Sequence, residues 1–277
     1  LLAAWWIAGW ASASLLDGGA VPVGYDAFYH ARRIIDAAAP GAHLVEFETR
    51  MHYPEGSWIT WPWLYDWTLA QLLAGATRVL PGVPPMLLLA WVPPIALAVN
   101  LALLAAAGRQ LGLRVTTLLA VLVTFVMSPG VMFNHTIGAV DHHFAEAMAV
   151  LAATLLLLRW LERPEALARA VALGVVLGLA PGAHNGLFFL QGLMVAAIGL
   201  AWASRRLPAG QAPAAFGLAM LVTVVLVVLP SAPLRHGENA FYLLSGFHKV
   251  VAANAALLMA VFARGPPAPR RWLLGAA

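Results

Sequence analysis

Cysteine is absent from the 277 residues, which excludes disulfides and thiolate-bound metal. Charge is scarce as well. Charged residues make up 10% of the chain, against about 25% in an ordinary soluble domain. Lysine is reduced to Lys249, every other basic residue being arginine. Apolar residues fill the space, at 62%. A soluble protein of this length buries a large core, yet it cannot keep that much apolar surface from water, so lipid is the expected solvent for most of the chain. A sequence pI near 10 does not point to nucleic acid. The excess is four charges, and they are scattered between apolar runs rather than gathered in one basic stretch. No nucleic-acid partner is expected. The chain opens at Leu1 inside an apolar run, as a chain trimmed at its start would.

A membrane helix needs about 20 mostly apolar residues. Spans are predicted at roughly 1–16, 86–107, 115–132, 143–159, 170–183, 187–203, 213–230 and 250–263. The expected fold class is all-α, a polytopic transmembrane helical bundle. Residues 1–277 form one transmembrane domain of about eight spans, with a long outer loop at 17–85 that contains short helices. A helix is predicted from Ala27 to Ala38, stopped by Pro40 and Gly41.

The loops between spans fall into two alternating sets. One holds Arg109, Arg114, Arg159, Arg163, Arg169, Arg205, Arg206, Arg264, Arg270 and Arg271, with only Glu162 and Glu165 as acids. Short arginine-rich loops face the cytoplasm. The opposite set holds the remaining ten acids and all nine histidines. Imidazole and carboxylate are the usual ligands of divalent metals and the usual acid–base groups. The chemistry is therefore expected on the extracytoplasmic face of a multi-pass protein of the cell (inner) membrane.

Three clusters stand out on that face. The first is Tyr25-Asp26-Ala27-Phe28-Tyr29-His30-Ala31-Arg32-Arg33. Asp26 and His30 share a helix face if the helix begins there; Asp26 is otherwise an N-cap. Arg32 and Arg33 suit either phosphate oxygens or lipid headgroups. The second cluster is Asp141-His142-His143-Phe144-Ala145-Glu146, where the chain re-enters the membrane. Ionisable groups at that depth are costly, and function is the default reading. Asp141 and His143 can converge on one ion in a non-helical entry, while His142 and Glu146 stack along the first helical turn. The third joins Phe47-Glu48, Tyr53-Pro54-Glu55-Gly56 and Trp61-Pro62-Trp63-Leu64-Tyr65-Asp66. Its aromatic residues suit either a sugar face or the membrane interface.

In this order, the clusters resemble the catalytic subunit of oligosaccharyltransferase in its archaeal and bacterial forms. Asp26, Tyr29, His30 and Arg32 match the family's first acidic motif, and Asp141 and His143 match its Asp-x-His motif. The aromatic-acid, Tyr-Pro-x-Gly and Trp-Pro-x-aromatic-Asp patterns lie between them. The match is carried by about residues 1–160. The resemblance implies a C-type glycosyltransferase fold and transfer of a glycan from a polyprenyl-phosphate or pyrophosphate donor to asparagine in Asn-x-Ser/Thr of acceptor proteins. It implies Mn²⁺ or Mg²⁺, with Asp26, Asp141 and His143 as metal ligands and catalytic residues. His142, Arg32, Glu48, Tyr29 and His30 would contact substrate. The family's soluble C-terminal domain, with its sequon-binding motif, has no counterpart in the 277 residues, so the chain is either a fragment or a short relative with another acceptor. Two rivals remain. Another C-type glycosyltransferase, modifying lipid, polymer or Ser/Thr, would need no sequon domain. A transporter would place polar groups at mid-membrane depth, where this chain has only Asn100 and Asn254.

Overall fold

The computed structural model describes residues 15–16 and 19–264. The expected first span at 1–16, apart from Leu15 and Leu16, lies outside the described residues, as do Asp17, Arg270 and Arg271. The described chain is helical. Two short antiparallel ribbons are its strands, β1 (Leu15–Leu16) with β2 (Gly19–Ala20) and β3 (Phe47–Glu48) with β4 (Ser57–Trp58). The helices are α1 (Tyr25–Ala38), α2 (Trp63–Val79), α3 (Pro85–Ala90), α4 (Val92–Gln110), α5 (Val115–Met127), α6 (Pro129–Asn134), α7 (His143–Glu162), α8 (Leu167–Ala183), α9 (Phe188–Ala203), α10 (Gln211–Val228), α11 (Ala232–Arg235) and α12 (Gly246–Phe262).

Of the seven other predicted spans, five fall on one helix each, while 86–107 covers α3 and α4 and 115–132 covers α5 and α6. Four helical segments are long and apolar enough to cross a membrane: Pro85–Gln110, His143–Glu162, Asn185–Ala203 and Gln211–Val228. Three apolar helices are shorter, α5, α8 and α12. The expected span at 115–132 is divided, and the cause is Pro129. Ser128, which precedes it, is extended at φ −65° and ψ 126°, the conformation that a following proline ring imposes. Helix α5 therefore stops at Met127, and α6 begins with the proline at its first position. Rows of leucine and valine stay uncovered along the spans, among them Leu193 with Leu200 and Leu218 with Val222 and Leu226. Water would penalise such stripes; lipid does not.

The chain divides into two compact units. One runs to Leu151 and takes in Gly182–His184; the other comprises Ala152–Pro181 and the chain from Asn185 onward. The core of the first unit lies between α1 and α2. Ala27, Ala31 and Ile34 form the buried face of α1, and Leu69, Ala70 and Leu73 that of α2. Alanine at these positions lets the two backbones approach closely. The sequence predicts short helices in the outer loop; α2 is 17 residues long.

In the second unit, contacts between helices rest on glycine. A Cβ on Gly174 would lie 2.5 Å from the Phe216 carbonyl oxygen, and one on Gly178 would lie 2.5 Å from the Thr223 Cβ. This four-residue spacing of glycines lets α8 meet α10 backbone to backbone. On α10 itself, Gly217 admits Ala256 and Met259 of α12. Pro181, inside α8, supplies no N–H to the carbonyl of Leu177 one turn earlier. The Gln191 side-chain amide donates to that carbonyl at 2.8 Å. In lipid every backbone polar group needs such a partner.

Replacing Gly178 by leucine forces α8 and α10 apart. The expected loss is about 1–3 kcal/mol, the usual range for overpacking, read as a lower thermal midpoint in detergent. Gly192, whose Cβ position is open, serves as the control and tolerates the same change.

Candidate functional site

Helix α1 brings the first cluster into the core of its unit. Gly24 precedes it at φ 101°, a conformation glycine adopts without strain. No side chain caps the helix, so Asp26 is not the N-cap that its position also allowed. It sits in the first turn, where a carboxylate is favoured by the helix dipole. One turn on, His30 is 1% exposed and faces α2. Its Nδ1 is 2.6 Å from Oδ1 of Asp66, and Arg33 donates from Nη1 to Oδ2 of the same carboxylate at 2.6 Å. Arg33 Nε also donates to the Val45 carbonyl at 3.0 Å. Asp66 is fully buried, and both of its oxygens are thereby satisfied.

The segment before α7 is non-helical and fixed through its backbone. Gly138, at φ 87°, donates to the Ala90 carbonyl at 3.0 Å and accepts from the Val23 N–H at 2.8 Å. Asn100 of α4 donates to the Phe144 carbonyl at 3.1 Å and lies 2.9 Å from His135 Nε2. His135 Nδ1 is 2.8 Å from the Val131 carbonyl, so its proton belongs on Nδ1 and its Nε2 accepts from Asn100. Burial holds His135 below the usual imidazole pKa, which keeps the ring neutral for that role. The polar residue the sequence places in mid-span thus fastens the entry to α7.

At that entry, carboxylates and imidazoles converge. Oδ1 of Asp141 accepts from the His142 backbone N–H at 2.6 Å and lies 2.8 Å from His142 Nδ1. His30 Nε2 is 3.3 Å from His142 Nδ1 and 3.9 Å from Asp141 Oδ1. Oδ2 of Asp141 faces His143 Nε2 at 3.7 Å. Burial works to raise the Asp141 carboxyl, but the hydrogen bond from His142 and the nearby imidazoles outweigh it and hold the group below the ordinary carboxylate range. Glu146 continues the cluster. Its Oε2 is 3.1 Å from His143 Nδ1. Its Oε1 is 3.6 Å from His142 Nε2 and 2.5 Å from His184 Nδ1, yet no donor is aligned with it. The rings of His142 and His184 stack at 4.5 Å.

Among the described residues, two groups of three have ligand atoms close enough to hold one metal ion: His30 with Asp141 and His142, and His142 with Glu146 and His184. The set implied by the resemblance, Asp26 with Asp141 and His143, is not one of them. Asp141 and His143 do meet, with Oδ2 of the carboxylate 3.7 Å from Nε2 of the ring, but Asp26 is not grouped with them. Tyr29 stacks on Trp61 with ring centroids 4.8 Å apart; burial, first among several influences, pushes its phenol up to about 12. Arg32 and Glu48 pair with each other at 2.7 Å. Glu48 also accepts from the backbone N–H of Arg50 at 3.1 Å and from its side chain at 3.2 Å.

His184 and the partnership of Asp66 with His30 and Arg33 are absent from the sequence-based set of site residues. The signal for His184 was slight, a lone imidazole three residues after a proline at the end of a span. For Asp66 it was stronger, a carboxylate closing an aromatic motif.

No family model matches the sequence, and no curated protein matches it. Solved structures do. One is archaeal oligosaccharyltransferase AglB from Archaeoglobus fulgidus, in complex with an inhibitory peptide and a dolichol-phosphate. It aligns with a TM-score of 0.73 at 17% identity, over 95% of this chain and 32% of that one. The Archaeoglobus fulgidus enzyme in complex with Zn and sulfate aligns at 0.75 and 18% identity, over 95% and 34%. The same enzyme tethered to an acceptor peptide containing the NVT sequon aligns at 0.73 and 18%, over 95% and 33%. The fold is that of an oligosaccharyltransferase. The chain spans about a third of the length of the enzyme structures it matches, and the part matched is the membrane part. The oligosaccharyltransferase fold extends well past residue 160, where the motifs ended.

Two outcomes are expected. Asp66→Ala leaves Arg33 as a buried charge without its carboxylate, at a cost of about 3–5 kcal/mol, measured by thermal unfolding. Glu48 responds to acid. The Arg50 backbone N–H, then the arginine side chains, hold its carboxyl below the ordinary value. Its contribution is present above the unfolded-state pKa of about 4.3 and is lost as pH falls through the lower folded value. Pepsin cleavage within residues 50–56, taken relative to that of Glu48→Gln at the same pH to remove the protease's own acid dependence, therefore rises as the pH drops below about 4.

Proposed function

We propose that this chain is the membrane part of a metal-dependent glycosyltransferase that moves a glycan from a polyprenyl-phosphate or pyrophosphate donor to asparagine of acceptor proteins. One observation carries the reading. Asp141 stands among His30, His142 and His143 in a chain that follows an oligosaccharyltransferase backbone over 95% of its length. The Archaeoglobus fulgidus enzyme was solved with a dolichol-phosphate, with an acceptor peptide containing the NVT sequon, and with Zn and sulfate. A lipid-linked phosphate donor, an asparagine acceptor and a divalent cation are accordingly the partners assigned to this chain.

The donor set fits a divalent cation. Asp141 supplies a carboxylate held ionised, and His143 Nε2 faces its Oδ2 at 3.7 Å. These two would hold the ion, and Asp26, which is in neither closely grouped ligand set, would have to approach them to act as the third ligand that the resemblance implies; carboxylate oxygens with one imidazole suit Mn²⁺ or Mg²⁺. When bound, the cation would offset negative charge on the departing phosphate. The protein's own groups do the remainder. His142 is positioned by Asp141 to contact donor phosphate oxygens. Tyr29 and Trp61 offer a stacked aromatic pair of the kind that binds a sugar face. The apolar flanks of the spans admit a polyprenyl tail. The arginine-rich loops support a cytoplasmic assignment for the opposite ends of the helices, so the site would open on the extracytoplasmic face of the cell membrane.

Asp141→Asn keeps the shape of the side chain and removes its charge. The expected result is at least about a 100-fold loss of transfer from a lipid-linked donor to an Asn-x-Thr peptide, with the thermal midpoint unchanged. Near-normal turnover would refute the site. Transfer by the unaltered protein to lipid or to Ser/Thr, and not to asparagine, would refute the acceptor.

A further inference from the structure

We infer that His30, Asp141 and His142 form a second divalent-cation site of zinc-like preference, joined through the Asp141 carboxylate to the ion held by Asp141 and His143. The two oxygens of Asp141 face different partners. Oδ2 faces His143; Oδ1 faces His142 Nδ1 at 2.8 Å and His30 Nε2 at 3.9 Å. With the 3.3 Å between the two imidazole nitrogens, these three atoms form a triangle. Four ligands at about 2.0–2.2 Å around zinc stand about 3.3 Å from one another, close to the mean of those three edges. Two imidazoles and one carboxylate are the ligand set of a zinc site with an open position. The first site, richer in oxygen, is the harder of the two.

Asp66 prepares His30 for this role. Its Oδ1 accepts from the Nδ1–H of His30 at 2.6 Å, and its Oδ2 accepts from Arg33. The lone pair of the neutral ring is thereby left on Nε2, aimed at Asp141 and His142. A carboxylate behind a metal-binding histidine fixes its tautomer and raises its basicity. The three ligands are also held before any ion arrives. His30 and His142 are nearly fully buried, and the His142 backbone N–H fastens Asp141. The inference deepens the proposed function but does not need it, because metal binding is measured without turnover.

Zinc binding to the purified protein in detergent, by calorimetry and metal analysis, tests it. The unaltered protein is expected to bind two ions per chain. His30→Asn removes one; Asp66→Asn keeps both but weakens one by about 10–100-fold. His184→Ala keeps both, which separates this site from the neighbouring group of His142, Glu146 and His184. One ion per chain in the unaltered protein would overturn the site, as would full binding by His30→Asn or loss of an ion in His184→Ala. Should His30→Asn fail to fold, anomalous scattering from zinc-soaked crystals of the unaltered protein decides. A peak between His30 Nε2 and His142 Nδ1 supports the site, and none there at saturating zinc overturns it. Two bound ions without glycan transfer would leave the site standing and remove the transferase reading.

Discussion

Taking a carboxylate out of water costs several kcal/mol unless partners replace the lost hydration, and Asp66 is fully buried. Its two oxygens are divided between the guanidinium of Arg33 and the imidazole of His30. Each half of that arrangement has a separate consequence. The Arg33 half ties α1 to α2 and, through the Val45 carbonyl, to the chain that follows α1. The His30 half sets a tautomer, and with it the direction of the one lone pair that reaches toward Asp141. The packing of the outer loop and the chemistry of the site are thus held by the same carboxylate.

The other side of the site is built with different means. Asp141 and His142 lie on non-helical backbone, and a non-helical stretch beside membrane spans must place every N–H and carbonyl. Gly138 does so by bonding to Ala90 and Val23, and Asn100 by bonding to Phe144. Asn100 is a polar group within an apolar helix, which first invites a transport reading. In the structure its amide is engaged in fastening the entry of α7. The same logic recurs in the second unit, where Gln191 supplies the donor that Pro181 withholds. Asn100 and Gln191 thus both donate to backbone carbonyls of neighbouring helices.

Much of the fold could be read from the sequence, because lipid makes hydropathy a direct record of burial in the membrane. The seven predicted spans within the described residues are helical, and the family resemblance carried by Asp26, Tyr29, His30, Arg32, Asp141 and His143 holds at the level of fold. What hydropathy could not show is local. Pro129 divides an apolar run that reads as continuous, since a proline acts through the backbone of its neighbour and scarcely alters average polarity. The full length of helix α2 was not legible either, because its first turn carries the tryptophans that suit the membrane interface. For the site, sequence spacing brought Asp141, His142 and His143 together, for they are consecutive. It could not find His184, which depends on where α8 ends, nor show that Arg32 and Glu48 are each other's partners across 16 residues.

The concentration of imidazole also bears on how the cluster balances its charge. Asp141 and Glu146 bring two negative charges among His30, His142, His143 and His184. Two agents can balance that charge, protons on the histidines or a divalent cation on their lone pairs, and they exclude one another at any given nitrogen. Asp66 biases the competition at His30 by fixing which nitrogen is free. Elsewhere the cluster is partly aligned for proton sharing, with His143 Nδ1 at 3.1 Å from Glu146 Oε2. The competition therefore turns on His30 Nε2 and His142 Nδ1, 3.3 Å apart: one proton can lie between them, and a cation on both lone pairs would displace it.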